Sequence, residues 1–273
     1  MKHNRRIVFL AAVGLLSLAG CQSSRSESRQ AYVYGDSELY APLPVEGKSF
    51  PHIATINLSW IEGSIKIKQA KGPASIKESS SSLPLHYMID GNVLNLHYVK
   101  SGTLYKQFQS LSKDLELTVP SSLKALRIDA ISGAIEADSL NAPSLVAETI
   151  SARVKMGAVR GDALTLKTIS GEVSLGEVET DSLSVKTISG AASFAALTGK
   201  DGAFAAAFET TSGDFSAGLY PDQGYDVAFK SVSGSFHSDY DDALSYGDKK
   251  ASMEFSSVSG SFQIKRRARG QQP

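Results

Sequence analysis

Residues 163–190 read ALTLKTISGEVSLGEVETDSLSVKTISG, and this stretch decides the fold. It contains the tripeptide Ile-Ser-Gly at residues 169–171 and again 19 residues later, at 188–190. Between the two copies apolar and polar residues alternate, as they do in Val173-Ser174-Leu175. A period of two is typical of a β-strand with one buried face, and these segments are too short for helices. The stretch therefore predicts short strands in a repeating unit.

The Ser-Gly motif continues on both sides of this stretch. A β-branched residue precedes it each time, and Ser151-Ala152 fills the one slot without a glycine. The serines are separated by 19, 19, 19, 23, 21 and 26 residues. We expect a turn at each motif, in which glycine supplies a positive φ and serine hydrogen-bonds to backbone groups. The predicted turn residues are Ser132, Gly133, Ser151, Ser170, Gly171, Ser189, Gly190, Ser212, Gly213, Ser233, Gly234, Ser259 and Gly260.

Apolar residues align in columns when residues 126–197 are stacked at the same period. The columns begin at Leu126, Ile128, Ile131, Ile135, Ala137 and Leu140. One coil buries too little apolar surface to offset the entropy of ordering its backbone, so the repeats must stack on one another. The sequence thus predicts an all-β fold, a parallel β-solenoid over residues 121–265 with about seven coils of 19–26 residues.

Residues 49–120 contain strand patterns without this period. A solenoid exposes an open sheet edge at each end, and natural proteins cover such edges. We therefore expect residues 49–120 to form an irregular N-terminal β cap. The basic tail of residues 266–273 is expected to protect the opposite edge by its charge, with contact to surface polysaccharide or anionic lipid as the alternative.

The N-terminus has three zones typical of a secretory signal peptide. Three cations precede an apolar run at residues 7–18, which is too short to span a bilayer as a helix. Small residues then lead to the only cysteine of the chain, Cys21. The prediction is a signal peptide over residues 1–20, followed by a flexible tether over residues 21–48.

The segment Leu18-Ala19-Gly20-Cys21 resembles the lipobox of bacterial lipoproteins. That resemblance implies that Cys21 becomes the first residue of the mature protein and carries a lipid such as palmitate. A signal peptide whose cleavage site merely adjoins a cysteine is the alternative. By the same resemblance, Gln22 in place of an aspartate favours the outer membrane of a Gram-negative bacterium.

Charge and cysteine content exclude several classes of protein. The 273 residues include 28 Lys and Arg against 28 Asp and Glu, and loss of residues 1–20 removes three of the cations. Nucleic-acid-binding proteins normally carry a basic excess, so no nucleic-acid partner is expected. A single cysteine excludes a disulfide framework and a multi-cysteine zinc site.

No catalytic constellation stands out in the sequence. The histidines are not at metal-ligand spacing, and the repeated serines have neither a G-x-S-x-G elbow nor a histidine beside them. The acidic cluster Asp239, Asp241 and Asp242 lacks the EF-hand pattern and is only a weak candidate for a metal site. We predict no enzyme activity and no cofactor. A polysaccharide-active β-helix enzyme is the third-ranked hypothesis, because such enzymes share the coil architecture.

The order of motifs also carries a family resemblance. The strand at residues 115–120 leads into Leu126-Arg127-Ile128 and then into the Ser-Gly repeats. Over about residues 49–264 this arrangement resembles a bacterial domain-of-unknown-function family known as "putative adhesin". The resemblance implies a solenoid on an exported or membrane-anchored protein, and it brings no catalytic residues with it.

Together these features favour a lipid-anchored cell-envelope protein whose solenoid is a non-catalytic surface for binding or adhesion. Its expected partners are the membrane, through the N-terminal lipid, and an envelope protein or glycan. The alternative function is a periplasmic scaffold with a structural or stress-related role.

Overall fold

The computed structural model describes residues 31–80 and 82–268. In this part of the chain nearly all regular structure is β, with one short helix and one 3₁₀ turn. None of the described helices is long and apolar enough to cross a membrane. The predicted signal peptide, the lipobox, Cys21 and the end of the basic tail lie outside the described residues.

The elements follow one another along the chain with short connections. The strands are β1 Ala31–Tyr32, β2 Ala41–Pro42, β3 Lys48–Phe50, β4 Thr55–Trp60, β5 Ser64–Ala70, β6 Ala74–Glu78, β7 His86–Asp90, β8 Val93–His97, β9 Thr103–Leu104, β10 Leu115–Pro120, β11 Ala125–Ala130, β12 Ala134–Asn141, β13 Ser144–Thr149, β14 Arg153–Thr168, β15 Val173–Thr187, β16 Ala192–Thr198, β17 Phe204–Thr210, β18 Phe215–Leu219, β19 Tyr225–Ser231, β20 Phe236–Ser238, β21 Ser245–Tyr246, β22 Ala251–Ser257 and β23 Phe262–Arg266. The 3₁₀ turn is Ser37–Leu39 and the helix, α1, is Tyr105–Phe108.

Each coil contributes one strand to each of two parallel sheets. The long strand β14 makes this visible, because its residues 153–160 pair with β12 and its residues 163–168 pair with β13. The chain therefore turns at two kinds of corner. The Ser-Gly corner follows the strand of the first sheet, as at residues 169–172, and the opposite corner follows the strand of the second sheet, as at residues 161–162. The predicted parallel β-solenoid is confirmed.

The coils do not stack in chain order at the two ends. Within the described residues nine coils can be followed, in the spatial order 93–120, 55–70, 125–141, 144–160, 163–179, 182–198, 204–219, 251–266 and 225–238. At the N-terminal end the chain builds the coil 55–70 first, then the outermost coil 93–120, and returns to lay 125–141 on the inner side of 55–70. At the C-terminal end it builds the outermost coil 225–238 first and then lays 251–266 inside it. At the usual strand spacing, nine coils make a rod roughly 40 Å long.

Residues 49–120 thus contribute more than an irregular cap. Strands β4 and β5 form a regular coil, and β11 and β12 of the next coil pair with them in parallel. The irregular part consists of the antiparallel strands β6, β7 and β3 at the outer end. This covering satisfies backbone groups that an open sheet edge would expose.

Five of the six predicted apolar columns line the core. In the column of Leu126, the residues Leu145, Leu164 and Leu183 lie directly in register and are at most 2% exposed. The column that begins at Ile131 is the exception, because Ile131, Ile169 and Ile188 are between 40% and 52% exposed. The difference follows from strand parity. Leu164, Leu166 and Thr168 point inward, so the next residue, Ile169, points outward.

Part of the predicted tether is packed on the body. Tyr34 stacks on His97 with 3.7 Å between the ring centroids, and Tyr32 and Tyr40 meet the same ring edge-on. Strand β1 pairs with β9, and β2 pairs with β7. The prediction of a flexible tether is therefore wrong for residues 31–48, because these aromatic rings and strands supply contacts that a polar tether lacks.

Candidate binding surface at the Ser-Gly corner

Four successive residues build each Ser-Gly corner, as residues 168–171 show. Thr168 points inward, and its Oγ1 accepts a hydrogen bond from the backbone N–H of Gly171 at 2.7 Å. The same bond joins Thr187 to Gly190 and Thr210 to Gly213, each at 2.7 Å. The sequence prediction missed these threonines, although they recur with the same period one residue before the β-branched residue. They take the inward position and leave the β-branched side chain outside.

All seven predicted corner serines make equivalent hydrogen bonds, each to its own neighbouring coil. Each donates its backbone N–H at 2.9 Å to the carbonyl oxygen of the outward residue in the neighbouring coil. Each serine Oγ lies 3.1–3.4 Å from that same oxygen. The serines are Ser132, Ser151, Ser170, Ser189, Ser212, Ser233 and Ser259. Their hydroxyls are thus engaged with backbone carbonyls, and the described residues contain no hydrogen bond between a serine and a histidine.

The corner glycines are required for a reason that differs from the predicted one. Only Gly133 among them has a positive φ, of 104°. A β-carbon at Gly190 would lie 2.3 Å from the carbonyl oxygen of Gly171, and one at Gly213 would lie 2.1 Å from that of Gly190. The expectation of a positive-φ turn is therefore wrong at the later corners. Glycine is needed there because stacked backbones approach too closely to leave room for a side chain.

The outward residues form a continuous row, which we call the corner ridge. In spatial order it consists of Ile61, Ile131, Ile150, Ile169, Ile188, Thr211, Val258 and Val232. Of the eleven large apolar side chains that are exposed in the described residues, five belong to this row, with exposed fractions of 40–83%. Eight stacked positions extend over roughly 34 Å. Apolar groups exposed together in this way are typical of interaction surfaces.

A shallow groove lies on the second sheet near the C-terminal end of the rod. It encloses about 440 Å³ and is lined by both apolar residues, such as Phe215, and polar ones, such as Ser261 and Asp214. Asp214 accepts a hydrogen bond from the N–H of Ser261 at 2.8 Å, and Ser235 bonds to the Ser261 hydroxyl at 3.1 Å. These groups are satisfied by one another. The groove therefore offers a mixed surface on which the named polar groups already have partners.

The acidic cluster at residues 239–242 is held by groups of its own loop and by the backbone of β23. Asp242 accepts hydrogen bonds from the Ser238 N–H at 2.8 Å and contacts the His237 ring at 2.5 Å. Asp239 accepts from the N–H of Arg266 at 2.9 Å. The bond from Ser238 and the neighbouring His237 lower the pKa of the Asp242 carboxyl. Within the described residues no group of three or more His, Cys, Asp or Glu is placed to hold a metal ion.

Fold and surface together define a class: a repeat β-solenoid whose most distinctive exposed feature is an apolar edge. The comparisons with known proteins make this more specific. Residues 53–272 match the model of the Toastrack DUF4097 family, and the chain belongs to that family. No curated protein matches the chain.

Solved structures similar to this chain come from several bacteria. A "putative cell adhesion protein" from Clostridium sporogenes ATCC 15579 is 14% identical, with 84% of this chain and 98% of that chain covered and a TM-score of 0.35. A "putative adhesin" from Bacteroides fragilis NCTC 9343 is 12% identical, with 80% and 95% covered and a TM-score of 0.48. Another from Parabacteroides distasonis ATCC 8503 is 10% identical, with 85% and 99% covered and a TM-score of 0.38.

Proposed function

We propose that this protein is a lipid-anchored component of the bacterial cell envelope that binds an apolar surface of another envelope protein along the corner ridge, without catalysis. The observation that carries the proposal is the row of exposed Ile and Val side chains. A monomeric protein with no partner gains nothing from such a row, since apolar surface is better buried.

The chemistry of the ridge favours a protein over a glycan as the partner. Its aliphatic side chains offer only apolar contacts, and the neighbouring serine hydroxyls already face backbone carbonyls. Methyl groups make no hydrogen bonds to sugar hydroxyls, whereas each buried CH₂ contributes about 0.8 kcal/mol against another apolar surface. The hydrogen-bond ladder behind the ridge holds the side chains at a constant spacing, so little ordering entropy opposes binding.

The position of the N-terminal strands suits an anchor at Cys21. Strands β1 and β2 lie on the outer end of the rod, where they pair with β9 and β7. A lipid at Cys21 would place this end toward the membrane. The ridge would then extend away from the bilayer surface, where an envelope protein can reach it.

The anchor is tested by metabolic labelling with a palmitate analogue in a bacterial host. We expect label on the wild-type chain and none on the Cys21→Ala variant, because Cys21 is the only cysteine. The Ser23→Ala variant is the matched control and should label normally. Equal labelling of wild type and Cys21→Ala would disprove the anchoring.

The ridge is tested by replacing Ile169, Ile188 and Val258 together with threonine, which already occupies this row at residue 211. Because the three side chains are exposed, we expect little change in the unfolding temperature but an at least tenfold loss of crosslinked partner recovered from intact envelopes. Recovery is measured by quantitative mass spectrometry.

A matched control uses apolar residues that are equally exposed elsewhere. Val45, Ile89 and Leu244 are 73%, 47% and 46% exposed and lie outside the ridge. Their triple replacement by threonine should leave partner recovery unchanged. An equal loss in both triple variants, or no loss in the ridge variant, would show that the ridge does not bind the partner.

A further inference from the structure

The shallow groove on the second sheet holds a row of polar side chains that point away from the core. The row consists of Ser193, Ser216, Gln263 and His237, which lie in register on four neighbouring coils. At the usual strand spacing it extends over roughly 14 Å along the rod. The groove volume of about 440 Å³ lies within the roughly 300–1,000 Å³ that is typical of ligand sites. This shape suits an elongated ligand that lies along the rod axis.

The first three side chains of the row are unpaired and open to solvent. Ser193, Ser216 and Gln263 are partly exposed, and their side chains make no hydrogen bond to any described residue. Their polar atoms are not closed off from solvent, so a ligand can reach them. The corner serines differ in this respect, because their hydroxyls face backbone carbonyls. A ligand that replaces the water on the row therefore breaks no hydrogen bond within the protein.

The two walls of the groove carry opposite charges. Asp214 lies on the side of the Ser-Gly corner, where its carboxylate accepts from a backbone N–H at 2.8 Å. Lys265 lies on the other side, two residues beyond Gln263. The charge of Glu172, at the inner end, is offset by Arg153 at 3.5 Å. Because the charges balance, neither a polyanion nor a polycation is attracted along the whole row.

The floor of the groove offers little to a peptide. Val173, Ala192, Phe215 and Phe262 line it but point into the core, and they are at most 3% exposed. Strand β18 pairs with β16 on one side and with β23 on the other, so it has no free edge for an added strand. Peptides usually bind through such an edge or through apolar side chains held in pockets. What the groove presents instead is hydroxyl and amide groups, each of which can donate and accept.

From this arrangement we infer that the groove is a binding site for a neutral, linear glycan that lies along the rod, with its sugar units hydrogen-bonded to Ser193, Ser216 and Gln263. Every sugar hydroxyl both donates and accepts, as the serine hydroxyls do. Each contact is weak by itself, so a chain that spans several coils binds more tightly than a single ring. The site lies on the second sheet rather than on the corner ridge, and the inference does not rest on the proposed protein partner.

The site is tested with the full-length chain in a detergent that has no sugar headgroup, by saturation-transfer NMR and titration. The neutral probes are cellohexaose, maltohexaose and chitohexaose. We expect saturation transfer to at least one of them, and at least tenfold weaker binding of the corresponding methyl monosaccharide, of hexagalacturonate and of an uncharged decapeptide of serine, threonine and glycine. No transfer to any neutral hexamer, or equal or tighter binding of hexagalacturonate or the decapeptide, would overturn the inference.

Two substitutions separate binding in the row from general adhesion to the protein surface. Ser216→Leu fills the middle of the row, and Gln263→Leu removes the amide at a similar size, so each should weaken hexamer binding at least tenfold. Ser184→Leu is the matched control, because Ser184 is an outward, partly exposed serine of the first sheet, and it should bind like wild type. All three positions point outward, so the unfolding temperatures should stay close to that of wild type. Undiminished binding by both groove variants, or an equal loss in Ser184→Leu, would show that the row does not hold the glycan.

Discussion

Replacement of Lys113 by methionine is expected to lower the free energy of unfolding by about 3–5 kcal/mol, because it leaves a buried carboxylate without its partner. Lys113 is fully buried, and its Nζ lies 2.8 Å from Oε2 of Glu78, whose side chain is 6% exposed. The ammonium also donates to the carbonyl oxygens of Leu83, at 3.0 Å, and of Tyr98. Its charge lies 5.3 Å from the centroid of the Trp60 ring.

The loss is measured by urea unfolding at neutral pH. A double variant, Lys113→Met with Glu78→Gln, should recover much of the stability, because glutamine removes the charge and keeps the oxygen that accepts from the N–H of Leu85 at 2.7 Å. Lys77→Met is the control, since Lys77 is exposed on the adjacent position of β6. A loss below about 1 kcal/mol in Lys113→Met would mean that the pair is not buried as described.

Acidification from pH 6.5 to pH 4 is expected to destabilise the protein by about 3 kcal/mol through His97 alone, at about 1.4 kcal/mol per unit of pKa shift. Burial lowers the pKa of His97 to about 4, and the charge of His86 on the paired strand acts in the same direction. The unfolded chain takes up this proton near pH 6.5, whereas the folded chain resists it. The stabilisation is therefore complete above pH 6.5 and is lost as the pH falls to about 4.

Stability is measured by urea unfolding at several pH values across this window. His97→Gln should flatten most of the dependence, while its stability at pH 7.5 falls because the contact with Tyr34 and the 2.9 Å bond to the Tyr32 hydroxyl are lost. Burial also lowers the pKa of His86, which supplies the remaining slope. The control His52→Asn replaces an exposed histidine at a φ of 61°, which asparagine tolerates. Equal slopes in wild type and His97→Gln would contradict the assignment.

The repeat could be predicted from the sequence because equivalent positions in successive coils of a β-solenoid have the same surroundings and therefore favour the same residue types. Leucines 19 residues apart, such as Leu145, Leu164 and Leu183, occupy the same inward position and stack in register. Strand parity also predicts the corner ridge, because Ile169 must point outward when Leu164 and Leu166 point inward. The assumption that every apolar column lies in the core misses this row.

The charged pair of Lys113 and Glu78 could not be predicted in this way. Glu78 lies 35 residues before Lys113, in a segment that does not follow the 19-residue period. No period relates these residues. Which residues meet depends on how the segments outside the repeat pack against the end of the rod.

The sequence by itself determined the fold class, the inward columns of the central coils and the serines of the seven predicted corners, since alternation and period act locally and identically in each repeat. The tertiary structure alone decided the order of the outer coils and the reason for the corner glycines. Every coil presents the same strand edges and apolar columns, so several stacking orders satisfy the pattern. The lengths of the connections and the shapes of the ends select one of these orders. At the C-terminal end, for example, the coil of residues 251–266 lies between the coils of residues 204–219 and 225–238.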